Sequence, residues 1–216
     1  MRTRILNIIE KKEMSTVVMT TDDFTGAFQE NWFYEICSVD EKHKFIAKGY
    51  DINQQKMTLT PIDISDRDKI HPGMSVELFS SGARPCRGYL VEAFSEYSDG
   101  INLVGYMIMD LSFNTPSVIY ETKELFIGTT EMAGYIGVCH ILGEMVKLKR
   151  DKYPVYTFNE KVVGYIKTDY DIEPLRNKKG YEDVFNRLRK CSMWLIDHKS
   201  RIEKVEFYNK KIYGEI

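Results

Sequence analysis

The chain has 216 residues, of which 43% are hydrophobic and 29% are charged. This balance is typical of a globular protein and argues against extended disorder or a fibrous repeat. The 30 basic residues are balanced by 32 acidic ones, for a formal net charge of −2. Because no overall positive field is available to hold nucleic acid, any such binding would depend on a local basic patch.

The hydropathy pattern argues against secretion and against insertion in a membrane. Near the N-terminus only five uncharged residues, Ile5 to Ile9, precede the next charge, which is too short for the apolar segment of a signal peptide. No stretch approaches the roughly 18 to 20 apolar residues that a membrane span needs. We therefore expect a cytoplasmic protein with no membrane partner.

The four cysteines do not form a metal-binding pattern. Cys37, Cys86, Cys139 and Cys191 lie 49, 53 and 52 residues apart, with no C-x-x-C pair. The adjacent Cys139 and His140 would point about 100° apart on a helix and would not converge on one ion. We predict no zinc site and four reduced, mostly buried thiols.

The first 83 residues are predicted to be rich in β-strands. Short aromatic or β-branched runs separated by polar turns lie at residues 32–39, 44–52, 56–64 and 71–79, which favours a small meander. Residues 4–13 are predicted to form a short helix or a frayed end.

The segment Ser80 to Gly88 concentrates Gly, Pro, Ser and Arg between two hydrophobic stretches. Such composition is typical of a linker, and it places the predicted domain boundary between residues 83 and 84. The alternative interpretation is an ordered loop that presents Arg84 and Arg87 to an anion. The chain is long enough for two domains of ordinary size, and we predict a β-rich domain at 1–83 and an α/β domain at 84–216.

The second half alternates strands and helices. Helical spacing of apolar residues predicts the helices, with Thr129 and Thr130 as candidate caps of the first, and short β-branched runs between turn residues predict the strands. The predicted elements are three strands at 88–98, 104–112 and 117–128, a helix at 129–150, a strand at 154–158, helices at 159–167 and 181–195, and a strand and tail at 204–216.

This order over Gly88 to Ile216 resembles the ribonuclease H-like fold, in which three antiparallel strands and a helix precede a fourth strand parallel to the first. Residues 129–135, T-T-E-M-A-G-Y, are similar to the family's T-N-N-x-A-E-Y. Tyr156 to Asn159, followed by Val162 and Val163, is similar to its Y-S-D-S strand and V-V helix. The helix at 186–196, followed by Val205 to Phe207, is in the matching order. The resemblance implies a mixed sheet with flanking helices for this part of the chain. Together with the β-rich domain predicted from the first 83 residues, the fold class is α+β or α/β.

The resemblance also implies a degenerate active site. Active members of the family hold two divalent metal ions with four carboxylates. Here the helix acid falls on Gly134 and the acid of the fourth strand falls on Phe158, and neither residue can bind a metal. The acid of the first strand corresponds to Glu96 or to Asp99, and the final acid has no clear counterpart. The implied module has therefore lost metal-dependent cleavage.

A relocated set of acids is the alternative. Glu131 and Glu160 could replace the missing carboxylates and act with Glu96 or Asp99 on Mg²⁺ or Mn²⁺. Glu131 and Glu160 also stand at predicted helix starts, where an acidic side chain complements the helix dipole without any catalytic role. Outside this nuclease alternative, no cofactor and no metal ligand are predicted.

Local basic clusters are the candidate contacts with nucleic acid. They could grip a phosphate backbone, or they could simply be solvated helix ends. They comprise Lys147, Lys149, Arg150 and Lys152, then Arg176, Lys178 and Lys179, and then Arg187, Arg189 and Lys190.

Three functional hypotheses follow. The first is a non-catalytic ribonuclease H-like binding or scaffolding protein that contacts nucleic acid through the basic clusters. The second is a metal-dependent nuclease with relocated carboxylates, and the third is a protein-interaction module of unrelated α/β fold. No G-x-S-x-G elbow and no glycine-rich nucleotide-binding motif occurs, so acyl-transfer and nucleotide-binding classes find no support in the sequence.

Overall fold

A computed structural model describes residues 2–21, 32–51, 53–113, 115–150, 152–168 and 170–213. The chain divides into two compact units. Met1–Cys86 and Lys210–Ile216 form one, the barrel unit, and Arg87–Asn209 form the other, the sheet unit. A compact unit does not necessarily fold on its own, so the predicted domain boundary between residues 83 and 84 stays a prediction.

The barrel unit is built from six antiparallel strands. Side chains alternate between the barrel interior and its outer surface, and Ile5, Val18, Ile36, Phe45 and Leu59 are fully buried in its core. The strands close in the order β1-β2-β5-β4-β3-β6, with β6 paired to β1. They are β1 (Arg2–Lys11), β2 (Thr16–Thr20), β3 (Trp32–Ser38), β4 (Lys44–Asp51), β5 (Lys56–Pro61) and β6 (Ser75–Pro85), with a 3₁₀ helix at Ile64–Lys69 between β5 and β6.

Two predictions for the barrel unit are wrong. Residues 4–13 do not form a helix, because β1 pairs with both β2 and β6 and alternates exposed residues with the buried Thr3 and Ile5. The linker predicted at 80–88 is mostly strand, since β6 continues through Pro85. Arg84 pairs with Phe33 in the ladder and lies over its ring at 5.0 Å, with only 8% of its surface exposed. Strand pairing has overridden the turn-forming composition.

The sheet unit carries a mixed sheet with helices. Its strands are β7 (Tyr89–Ser98), β8 (Ile101–Asp110), β9 (Ser117–Glu121), β10 (Phe126–Ile127), β11 (Val155–Thr157) and β12 (Val205–Phe207). Its helices are α1 (Thr130–Lys147), α2 (Glu160–Thr168), α3 (Glu182–Asp197) and α4 (Lys199–Ile202), with a 3₁₀ helix at Glu173–Leu175; α5 (Lys210–Tyr213) belongs to the barrel unit.

The strand order of the sheet unit is β10-β8-β7-β11-β12, and β9 also pairs with β8. Strand β8 is antiparallel to β7, β9 and β10, whereas β11 is parallel to both β7 and β12. The predicted succession of three antiparallel strands, a helix and a fourth strand parallel to the first is therefore confirmed. The predicted third strand is divided into two, β9 and β10, because the chain leaves the ladder between Glu121 and Phe126.

Helix α1 packs against the centre of the sheet. Thr129 caps it, and its hydroxyl accepts a hydrogen bond from the backbone N–H of Met132 at 3.4 Å. Gly137 is a close-approach position, because a Cβ there would lie 2.7 Å from side-chain atoms of Val91 and Tyr106. The sheet and α1 share one core with α2 and α3.

No helix among the described residues is long and apolar enough to cross a membrane.

Candidate functional site

Among the described residues of the sheet unit, two concave surfaces are lined partly by α1. The first, which we call the strand-end cleft, has a volume of about 480 Å³ and lies where β7 and β11 meet the starts of α1 and α2. It is lined by Val91, Glu92, Ala93, Thr130, Thr157, Phe158, Asn159, Glu160, Lys161 and Phe207. In the resemblance described above, this is where the metal-binding carboxylates would be expected.

Glu92 is the acid of β7 that reaches the strand-end cleft, and sequence reasoning did not identify it. Thr157 of β11 pairs with Val91, so the next residues of these parallel strands, Phe158 and Glu92, lie at the same level. Both line the cleft. The signal in the sequence was a single carboxylate inside the otherwise apolar run Tyr89 to Phe94.

Glu96 and Asp99 lie elsewhere. Glu96 is exposed and pairs with Leu103, four residues beyond Glu92 and therefore about 13 Å further along the strand. Asp99 is an exposed residue of the hairpin turn between β7 and β8, where its φ is 51°. The structure does not bring either residue to the strand-end cleft.

The position matched to the helix acid is part of the packed core. Gly134 is buried, and a Cβ built on it would lie 3.0 Å from Cγ2 of Val162 and 3.9 Å from Cβ of Ala93. A longer acidic side chain there would need α1 and α2 to separate. At the other matched position, the ring of Phe158 packs edge-on against Tyr208 with a centroid distance of 5.2 Å.

Glu131 and Glu160 occupy the first turns of α1 and α2. The pKa of Glu131 is lowered, mainly by a hydrogen bond from its own backbone N–H and further by Thr129 and Lys161. Its carboxylate lies 3.8 Å from the ammonium of Lys161. Glu160 is exposed and lines the strand-end cleft together with Lys161. Among the residues that the structure describes, no three His, Cys, Asp or Glu side chains converge as a metal site.

The second concave surface, the α1–α3 groove, has a volume of about 460 Å³. Its lining combines apolar side chains, two thiols and a charged rim formed by Glu144, Lys147 and Lys190. The other lining residues are Ile136, Cys139, His140, Gly143, Val146, Cys191 and Trp194. The groove therefore brings together Lys147 and Lys190, one residue each of the first and third predicted basic clusters, which are about 40 residues apart in the chain.

Several of the predicted basic residues are partly neutralised by neighbours. Lys147 lies 2.6 Å from Glu144, Arg176 3.1 Å from Glu173, and Arg187 2.9 Å from Asp183. Arg150 donates a hydrogen bond to the hydroxyl of Tyr89 at 2.9 Å, and Lys178 lies over the ring of Tyr181 at 3.9 Å. Within the described part of the chain, no ion pair forms at Lys149, Lys152, Lys179, Arg189 or Lys190, all of which are exposed.

Aromatic side chains lie in and beside the α1–α3 groove. The rings of Trp194 and His198 stack with a centroid distance of 4.1 Å, and Nδ1 of His198 lies 2.8 Å from the carbonyl oxygen of Trp194. His140 contacts the ring of Tyr120 edge-on at 4.4 Å and the hydroxyl of Tyr106 at 3.1 Å. Burial lowers the pKa of His140, so its imidazole is neutral near pH 7.

Comparisons with known proteins give distant structural likeness only. No family model matches the chain, and no curated protein matches it. The N-terminal ribonuclease H domain of a Mycobacterium tuberculosis protein is 15% identical and matches over 59% of this chain and 96% of that one, with a TM-score of 0.32. Ribonuclease H1 from Halobacterium salinarum is 11% identical over 57% of this chain and 86% of its own, with a TM-score of 0.33. A compost-derived ribonuclease H1 in complex with an RNA/DNA hybrid is 16% identical and matches over 57% of this chain and 88% of its own, with a TM-score of 0.31.

These identities and TM-scores are too low to transfer an activity or a site residue to this chain. The strand order is independent of them. In the sheet unit β7, the first strand, lies between the antiparallel β8 and the parallel β11. The last strand, β12, pairs with the other edge of β11. By this order and these directions, the sheet unit has a ribonuclease H-like fold.

Proposed function

We propose that the sheet unit is a ribonuclease H-like module that binds single-stranded nucleic acid in the α1–α3 groove without metal-dependent cleavage. The observation that carries this proposal is the presence of Lys147, Lys190 and Trp194 in one groove. Lysines neutralise backbone phosphates, and aromatic rings stack on bases with a free energy of about 1 to 3 kcal/mol per base. A groove of about 460 Å³ has room for an unpaired base or two but not for a duplex.

The lack of cleavage is proposed from the strand-end cleft. A two-metal mechanism needs several carboxylates within ligand distance of both ions. Gly134 and Phe158 supply none, and among the described residues that line the cleft Glu92 and Glu160 are the only two acids. Lys161 lies in the same cleft and further disfavours a divalent cation through charge repulsion.

Binding and cleavage can be measured in one titration. Fluorescence anisotropy with labelled single-stranded RNA and DNA, duplex DNA and an RNA–DNA hybrid, at about 50 and about 200 mM salt, is expected to show salt-sensitive binding that favours single strands. Two phosphate contacts predict a slope of log affinity against log salt of about −1.4. Each probe is then incubated with Mn²⁺ and analysed for length.

Each alternative has its own outcome in this experiment. Preference for duplex or hybrid would contradict the groove as the binding surface. Cleavage in Mn²⁺ that Glu92→Gln abolishes would revive the nuclease with relocated acids. No binding to any probe would leave a protein partner as the function to test.

The division into domains 1–83 and 84–216 is also a proposal. If it is right, the fragment 84–216 unfolds cooperatively in urea and shows the secondary structure of the sheet unit by circular dichroism. The contacts of β6 suggest a sharper comparison, because a cut after residue 83 removes the pairing of Arg84 and Pro85 with Phe33 and Trp32. We expect the fragment 1–86 to be more stable than 1–83, and equal stability would contradict a structural role for these pairs.

A further inference from the structure

The C-terminal end of α3 carries a stack of two aromatic rings. Trp194 and His198 are four residues apart, so their side chains are neighbours on the helix surface. Their ring centroids lie 4.1 Å apart, and the two ring planes differ in orientation by only 8°. The imidazole of His198 therefore covers one face of the indole.

Hydrogen bonds hold His198 at both its ring and its backbone. Its Nδ1 lies 2.8 Å from the carbonyl oxygen of Trp194, and because a carbonyl oxygen can only accept, Nδ1 carries a proton and donates it. The backbone N–H of His198 donates to the carbonyl oxygen of Leu195 at 3.0 Å, and its own carbonyl oxygen accepts from the N–H of Arg201 at 2.9 Å. The imidazole is thus a fixed support for the indole.

The face of Trp194 opposite His198 borders the α1–α3 groove. Trp194 lines this groove, whereas His198 is not one of its lining residues. His198 lies one turn beyond Trp194, and Lys190 lies one turn before it, about 6 Å away along the helix axis, so the second face of the indole is directed towards Lys190. Across the groove, Gly143 of α1 contributes no side chain, and a Cβ there would meet nothing within 4 Å. A flat ring therefore has space to enter beside Trp194.

We infer, on the basis of the function proposed above, that the groove takes one unpaired base on the indole of Trp194 and that His198 is the positioning residue of this ring. One base binds because His198 occupies the other face of the indole. A backbone phosphate next to the stacked base pairs with Lys190. Stacking reads no hydrogen-bonding pattern, so the site accepts any of the bases.

His198 could instead act only as a cap of α3. The carbonyl of Trp194 belongs to the last turn of the helix, where carbonyl groups lack partners within the helix, and Nδ1 of His198 satisfies it. Two substitutions separate the two roles. His198→Phe keeps a ring that can stack on Trp194 but has no N–H donor, whereas His198→Gln keeps a donor but has no ring.

The test uses the full chain and two labelled single-stranded DNA probes of equal length and charge. One probe carries bases, and the other carries abasic sites at every position. Wild type is expected to bind the probe with bases about tenfold more tightly, since stacking acts on that probe alone. His198→Gln should lose about threefold in affinity for the probe with bases and nothing for the abasic probe, because it removes one aromatic pair. His198→Phe should retain the affinity of wild type, and the salt slope should stay the same in both variants, because no phosphate contact is removed.

The outcomes distinguish this inference from the proposed function. Wild type that binds neither probe would overturn both. Wild type that binds both probes equally would overturn the base site but leave a groove that grips the phosphate backbone. A His198→Phe protein that loses more affinity than His198→Gln, or a loss of the same size on both probes, would mean that His198 stabilises the end of α3 and does not position the ring.

Discussion

The strand-end cleft and the α1–α3 groove differ in how α1 contributes to them. At the cleft, the N-terminal half of α1 is packed against α2 and the sheet, and Gly134 and Gly137 leave no space for a functional side chain. At the groove, the C-terminal half of α1 contributes charged and thiol side chains, and α3 contributes the aromatic Trp194. The surface is open there, because a Cβ on Gly143 would meet nothing within 4 Å. One helix thus serves packing at the first surface and offers binding chemistry at the second.

The largest expected effect tests this contrast with the same substitution at two glycines of α1. Gly134→Glu, which introduces an acid where active ribonucleases H carry one, places a charge against Val162 and should lower the free energy of unfolding by about 3 kcal/mol or more. Gly143→Glu meets open space and should be neutral or stabilising by up to about 1 kcal/mol, because glycine is a poor helix former. Urea unfolding measures both variants.

Equal stability of these two variants would break the comparison. So would a Gly134→Glu protein that stays folded and cleaves nucleic acid in Mn²⁺, because an acid at that position would then be compatible with the fold.

The second prediction changes charges on the groove rim. Lys190→Ala should weaken binding of single-stranded nucleic acid by about fivefold, corresponding to about 1 kcal/mol, and reduce the salt slope by about 0.7. Glu144→Gln should strengthen binding, because it removes a negative charge and releases Lys147 from its ion pair at 2.6 Å. Anisotropy titrations at two salt concentrations measure both effects.

Lys167 in the last turn of α2 provides the matched control. It is exposed and does not line the groove, so Lys167→Ala should leave affinity and salt slope unchanged. Equal losses from Lys167→Ala and Lys190→Ala would place binding outside the α1–α3 groove.

The order of elements in the sheet unit could be predicted because local patterns there agree with the fold. Thr129 begins α1 as a cap, and turn residues separate β7 from β8. In the barrel unit, composition was misleading at residues 80–88, because pairing with β3 holds Gly- and Pro-containing sequence in a strand. Pairing with a strand distant in sequence satisfies the backbone hydrogen bonds and overrides the local preference of these residues for a turn.

The candidate sites were less predictable than the fold. Matching short motifs selected Glu96 and Asp99, whereas the register of β7 against β11 places Glu92 at the cleft. The groove depends on residues of α1 and α3 that are far apart in sequence, and no local motif marks their proximity.

The smallest expected effect concerns Glu131 in the first turn of α1. Its lowered pKa means that the ionised form stabilises the folded state, by about 0.5 kcal/mol for an acid at a helix start. This contribution is fully present above the pKa of an unfolded glutamate, about 4.3, and is lost as the pH falls through the lower pKa of the folded state. Glu131→Gln should therefore be less stable than wild type at pH 7 and equal to it at about pH 3.

Urea unfolding at both pH values checks this, with the exposed loop variant Glu124→Gln as the control that should change stability at neither. A loss for Glu131→Gln that is the same at both pH values would mean that the side chain stabilises α1 by packing rather than by charge.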